Sequence, residues 1–339
     1  MIKLDAKKRK SLVGLKFIDL FAGIGAFRLA FQSFGAECVF SCEWDKDAQN
    51  TYYQNYGDWP AGDITKIDEK SIPYHDILCA GFPCQPFSIS GKQLGFNDTR
   101  GTLFFDIVRI VKHHKPNVII LENVKNIVSH DNGKTFNIVT NTLNRLGYDV
   151  FSDILNAACY GIPQKRERTF FVCFNKKLEI HNFNFPKVVK LKKHLIDYLL
   201  PDNLTSDFVI NRNDIFFKDN VVDHYSNSTL RLGIVNKGGQ GERIYSPLGV
   251  AITLSAYGGG IGAKTGLYLV NNKVRRLVPR ECARIDGFPD SFKLPDNNNI
   301  AYKQLGNSIV VDVIQYIICA ILDVTENGNI LFQNRSNLL

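Results

Sequence analysis

Short apolar runs recur through the first half of the chain, and stretches of helical spacing separate them. Residues 15–21 read as a strand that ends in a glycine turn, and 27–34 repeat apolar positions at helical spacing. Residues 36–42 predict a second strand and 45–56 a second helix. Residues 75–80 predict a strand that stops at Gly81, 101–113 a helix, and 117–122 a strand of Val, Ile and Leu. Two further apolar segments follow at 148–156 and 168–174. Alternation of strands and helices predicts an α/β fold, a doubly wound, Rossmann-like and largely parallel sheet. Such a sheet binds its ligands at the carboxyl ends of the strands.

The texture changes after about residue 185. Residues 187–230 are rich in Lys, Asn and Asp, and 233–270 are glycine-rich and β-branched, which predicts a smaller, mostly β domain. Residues 276–287 are helix-compatible after Pro279, and 309–324 form an apolar closing helix that returns to the first domain. The expected division is 1–196 plus 307–339 for the large domain, 197–278 for the small one, and 279–306 as a bridging segment.

Composition narrows the class. A chain of 339 residues buries enough surface to fold without disulfides or structural metal. With 45% hydrophobic and 22% charged residues, disorder and coiled coil are excluded as descriptions of the whole. No uninterrupted apolar run reaches the length of a membrane span, and the basic start of the chain is broken at Lys16 and Asp19, so neither a transmembrane helix nor a cleaved leader is expected. A net charge of +8 suits a nucleic-acid partner, although many unrelated proteins share it. The eight cysteines form no Cys-x-x-Cys pair, which predicts free thiols in a reducing, cytoplasmic setting and no bound metal.

Several segments carry candidate chemistry. Phe21-Ala22-Gly23-Ile24-Gly25 ends the first strand, where Gly23 and Gly25 let backbone approach a ligand; Arg28 stands where a dinucleotide fingerprint has its third glycine. Read alone, this is equally a plain tight turn. Glu43-Trp44 ends the second strand, and Asp63-Ile64 sits at the expected end of a third; carboxylates there suit ribose hydroxyls, or are ordinary solvated loop residues. Cys84 lies between Pro83 and Pro86 at a strand end, as a rigidly held nucleophile or as a structural turn cysteine. Glu122 ends the neighbouring strand, and Arg166 and Arg168 share one side at period two if a strand starts there.

Taken in order, Phe-Ala-Gly-Ile-Gly, Glu43-Trp44, Gly-Phe-Pro-Cys-Gln, Glu122-Asn123-Val124 and Gln-x-Arg-x-Arg resemble the motif set of the cytosine carbon-5 DNA methyltransferases. Pro279 to Arg284, Gly287-Phe288-Pro289 and Gln304-Leu305-Gly306-Asn307-Ser308 resemble the family's last two blocks, so the likeness spans about residues 15–325. It implies an S-adenosylmethionine-dependent methyltransferase sheet with a small target-recognition domain. Cys84 would attack carbon 6 of a flipped cytosine in duplex DNA, Glu122 would serve ring nitrogen 3, and Arg168 would hold the base carbonyl. Arg166 would bind a nearby phosphate or support the site.

For S-adenosylmethionine, leaving as S-adenosylhomocysteine, the likeness implies Phe21 on adenine, Glu43 on ribose and Asp63 with Ile64 at the adenine edge. Gly23, Gly25, Trp44, Pro83, Leu103, Asn307 and Ser308 would complete that pocket, and Ala26 departs from the glycine common in relatives. For DNA it implies Gln240 filling the vacated stack, Ser90 assisting from the other groove, 85–102 as a closing lid, and Arg243, Thr253, Ser255, Tyr257 and Gly260 as readers. The loops around Gln240 and Tyr257 resemble those of members that methylate the first cytosine of GCGC, while Pro247-Leu248 and Gly262 depart from them. The implied setting is a monomer, solitary or the modification half of a restriction–modification system beside an endonuclease that it does not stably bind. Transfer RNA as substrate, a catalytically silent DNA-binding relative and a nicotinamide oxidoreductase stand as the competing readings.

Overall fold

The structure, a computed structural model, describes residues 8–83, 103–219, 224–258, 260–326 and 328–331. Cys84, Ser90 and the rest of the expected lid lie outside the described residues. The large sheet is laid down by β1 (Lys16–Leu20), α1 (Ala26–Gln32), β2 (Glu37–Cys42), α2 (Lys46–Tyr56), β3 (Ile77–Gly81), α3 (Leu103–His114), β4 (Val118–Val124), α4 (Lys134–Arg145), β5 (Tyr148–Asn156) and β6 (Glu167–Asn175).

Its strand order is β2-β1-β3-β4-β6-β5. Alternate side chains enter opposite layers, as a strand's period of two requires. Phe17, Cys79, Val118 and Ile120 join a core with Phe27 and Phe31 of α1. Ile18, Leu78, Ile119 and Leu121 join another with Phe104 and Ile107 of α3 and Val139 of α4. That two-sided burial explains why 117–122 reads as an unbroken apolar run. Each such side chain contributes about 1.5–3 kcal/mol by leaving water.

The sheet is largely parallel, as expected: β6 pairs antiparallel with both β4 and β5, and it alone runs against the other strands. One expectation needs correcting. No strand precedes Asp63, because Ala61 makes only a single bridge to Cys42. Asp63 instead caps a 3-10 turn, Ile64–Lys66, where its side chain accepts the Thr65 amide and hydroxyl.

The second sheet, ordered β11-β10-β9-β8-β7, comprises β7 (Ile215–Phe217), β8 (Arg231–Val235), β9 (Arg243–Tyr245), β10 (Leu267–Val270) and β11 (Lys273–Arg276). Val235, Ile244, Leu267 and Val274 make its small core. It is joined to α5 (Pro279–Ile285) by a buried bidentate pair, Arg275 to Glu281 at 2.7 and 2.8 Å. Two helices close the chain, α6 (Asn298–Asn307), which periodicity did not predict, and α7 (Val311–Val324), which packs on α1. Counted together, residues 298–324 are long and apolar enough to cross a membrane, but 78% of their most apolar window is buried inside the protein.

Candidate active site

A cleft of about 420 Å³ lies over the carboxyl ends of β1 to β4. Its floor begins at the turn after β1. Phe21, Gly23 and Gly25 all adopt positive φ (56°, 55° and 87°), which glycine takes freely and phenylalanine takes only under strain. At Gly25 a side chain is also excluded by space, because a Cβ would lie 2.4 Å from the Tyr56 ring, whose hydroxyl donates to the Gly25 carbonyl at 2.8 Å. Glu43 fastens the turn, accepting the Gly23 amide on Oε2 and the Asp45 amide on Oε1, each at 2.8 Å. Burial raises its carboxyl above the usual range against those bonds. Each oxygen keeps a further lone pair for a ligand hydroxyl.

The opposite wall comes from far along the chain. Asn307 and Ser308 end α6, and α6 is held against α2 by Lys303 on Asp45 at 2.5 Å and by Thr51 on Gln304 at 3.1 Å. Gly306 permits the approach of the small domain's backbone, since a Cβ there would sit 2.2 Å from the Ala256 nitrogen. Phe21, Gly23, Glu43, Trp44, Pro83, Leu103, Asn307 and Ser308 therefore line one cleft, together with Tyr257. Gly25, Asp63 and Ile64 do not line it. Ala22, Asp45, Lys303 and Gln304 do, and were missed. Asp45 is legible afterwards as the N-cap of α2, whereas Lys303 carries no local signal.

At the other end of the cleft stand Glu122 and Arg168. Register sets Gly81 beside Glu122 and Val124 beside Arg168, so the reversed β6 delivers its first residues to the edge where β3 and β4 end. Arg168 Nε meets Glu122 Oε1 at 3.1 Å. Burial raises the Glu122 carboxyl above its ordinary value, and the charges of Arg168 and then Arg166 oppose this. Asn123 donates to the Phe82 carbonyl at 2.9 Å and so aims the backbone entering Pro83. Arg166 is buried, and donates to Leu254 O at 3.0 Å, Gly306 O at 2.9 Å and Ser308 O. Its side chain braces the cleft from behind.

The expected readers behave differently. Gln240, Arg243, Tyr257 and Gly260 are exposed, and among the described residues no ion pair engages Arg243. Thr253 donates its hydroxyl to Lys165 O, and Ser255 to Tyr257 O. The two glycine loops touch through Gly262 N–H on Gly241 O at 2.7 Å. No cluster of metal-ligating side chains occurs among the described residues.

Comparison with known proteins fits this geometry. The family model for C-5 cytosine-specific DNA methylase matches residues 15–323. Type II methyltransferase M.HhaI of Haemophilus parahaemolyticus is 60% identical over 91% of this chain and 95% of its own length. Type II methyltransferase M.SsoII of Shigella sonnei is 44% identical over 92% and 81%. Among solved structures, S. pombe Dnmt2 methyltransferase superposes with a TM-score of 0.68 at 21% identity, over 91% of this chain and 98% of that one. A putative DNA modification methyltransferase encoded within an E. coli prophage gives 0.68 at 20%, over 92% and 100%. These two likenesses bear on fold alone.

Proposed function

We propose that this chain, which belongs to the C-5 cytosine-specific DNA methylase family, methylates carbon 5 of the first cytosine of GCGC in duplex DNA through a covalent Cys84 adduct. The family uses S-adenosylmethionine, and the cleft suits it. Phe21 and Trp44 offer aromatic faces, Glu43 offers free lone pairs, and Asn307 and Ser308 offer polar groups from the far wall. When bound there, the cofactor supplies an electrophilic methyl group.

The protein's task is to make carbon 5 nucleophilic. In this reading the Cys84 thiolate adds to carbon 6, breaking the ring's 5–6 double bond and placing electron density on carbon 5. Glu122 in its acid form bonds ring nitrogen 3 and neutralises the developing charge. Arg168, already oriented by Glu122, holds the exocyclic carbonyl. Once carbon 5 carries the methyl group, water would take its proton, and that electron pair would restore the 5–6 double bond and expel the Cys84 thiolate. A buried carboxyl with a raised pKa beside an arginine, in the same cleft as Glu43, is the observation that supports the reading.

A base in a duplex must be flipped out, at a cost of a few kcal/mol, and Gln240 on its exposed loop is assigned to fill the gap. Ser90 would assist from the other groove. Arg243 suits guanine in the major groove, with Thr253, Ser255, Tyr257 and Gly260 beside it. Asp63 and Ile64, which do not line the cleft as it stands, are kept as adenine-edge contacts, and Gly25 as support beneath the turn. We further assign a monomer in the cytoplasm, serving as the modification half of a restriction–modification system; the Type II names of the relatives support this setting.

Bisulfite sequencing of a plasmid treated with the purified protein and S-adenosylmethionine tests the whole reading. Methylation at the first cytosine of every GCGC and nowhere else is expected. Another motif would overturn the specificity and keep the chemistry. Unmodified cytosine despite bound DNA and cofactor would overturn the chemistry.

A further inference from the structure

Arg166 is a buried cation to which no carboxylate bonds among the described residues. Its Nη donors go to three main-chain carbonyls, and its Nε has no partner among the described residues. Carbonyl dipoles ease the burial of a guanidinium without neutralising it. Arg168 brings a second positive charge two residues on, and of the two only Arg168 has a bonded counter-ion, Glu122 at 3.1 Å. One negative charge is therefore wanting from the first coordination of this pair.

Asp286, at the end of α5, supplies a buried carboxyl to the segment that leads into this pair. It is fully buried, its Oδ1 accepts from Gln164 Nε2 at 2.9 Å, and its Oδ2 has no hydrogen-bond partner among the described residues. Gln164 also donates to Ile285 O at 3.0 Å, and the Arg166 amide bonds the Gln164 carbonyl at 2.9 Å. The carboxyl is thus tied to the short segment that carries both arginines.

We propose that Asp286 is a positioning residue for methyl transfer: it is the second counter-ion of the Arg166–Arg168 pair, and so governs how readily Glu122 releases its proton. The inference rests on Glu122 acting as an acid. With both carboxyls ionised the four groups sum to zero. Without the Asp286 charge they leave an excess positive charge beside Glu122, which favours its carboxylate.

The other titratable groups around Asp286 leave this pairing in place. Cys282 on α5 is kept a neutral thiol by burial. Asp312 at the start of α7, beside Gly287, has its carboxyl raised by burial. Asp286 itself is pushed up to about 6 by burial, with Arg166 the foremost opposing influence. Arg166 is brought down to about 10 by burial and by Arg168, while Asp286 and Glu122 hold it up.

The test is Asp286→Asn in the full chain. Glu122 is titrated by carboxyl-carbon NMR in the enzyme without DNA, and single-turnover methylation of duplex DNA is followed against pH. We expect the Glu122 titration to fall by about 0.5–1 pH unit and the alkaline limb of the rate to move down with it. Asp286→Glu should restore both. In the unaltered chain the Glu122 carboxyl-carbon signal should show a second inflection where Asp286 titrates, which decides the matter if the Asn variant does not fold. An unchanged Glu122 titration, or a rate lowered equally at every pH, overturns the proposal. Glu122→Gln with wild-type turnover would overturn the acid reading instead, and the NMR titration would still report on Asp286.

Discussion

At the carboxyl edge of the large sheet, Glu122 and Arg166 are buried and Arg168 nearly so, and each is bonded to a partner the chain itself supplies. On the loops of the small sheet, Gln240, Arg243 and Tyr257 stand in solvent. The large sheet holds its edge between two extensive cores, whereas the small one closes on a cluster of Val235, Ile244, Leu267 and Val274. Bond-making needs groups that are already oriented in a low dielectric, because reorganisation during the reaction raises the barrier. Reading a sequence needs donors left free for a partner that arrives later. On the proposed roles, bond-making falls to an interior and sequence reading to a surface.

Substitutions can break that division. The largest effect is expected from Glu122→Gln, which keeps the shape and removes the acid. Single-turnover methylation should fall by about 10²–10⁴-fold while sequence preference, read by bisulfite sequencing, stays the same. A change of preference would show that the two regions are not separable. Next comes Glu281→Gln at the junction of the two sheets. It leaves Arg275 buried without its counter-charge and should cost about 3–5 kcal/mol in urea unfolding. A loss under about 1 kcal/mol would mean that this pair is not what joins them.

A third test asks whether burial alone, away from the site, makes a side chain consequential. His75, before β3 and so at the opposite edge of the sheet, is held near pKa 4 chiefly by burial. The unfolded chain binds its proton more tightly, so this stabilisation is present above about pH 6.5 and is lost as pH falls toward 4, on the order of 3 kcal/mol in all. His75→Gln should flatten the acid arm of a denaturation–pH curve without altering methylation at pH 7.5. The smallest effect is expected from Arg243→Ala, about 1–3 kcal/mol of discrimination between guanine and other bases at one position. The single-turnover rate on saturating GCGC duplex should be nearly untouched; a general loss of turnover would place Arg243 with the catalytic groups.

Local rules reach unevenly into this molecule. The turn after β1 is legible because positive φ is a property of the residues themselves, and Gly23 and Gly25 announce it. Glu43 is legible because it ends an apolar strand, although its grip on the Gly23 amide is not. Asp63 misleads, because a carboxylate before Ile-Thr caps a short turn as naturally as it ends a strand.

Alternating strands and helices, the glycine turn and each motif block were settled by the sequence alone, since each depends on residues within a few positions of one another. That covers the sheet, the edge where its strands end, and the family. Tertiary structure alone decided the direction of β6, which sets Arg168 against Glu122 across 46 positions of sequence (168 less 122). It alone decided that α6 forms the far wall of the cleft, that Arg166 turns inward to carbonyls 88 to 142 residues away, and that Asp286 meets Gln164. Contacts at such separation depend on how whole elements pack, and no period or propensity along the chain records the charge that one buried side chain places on another.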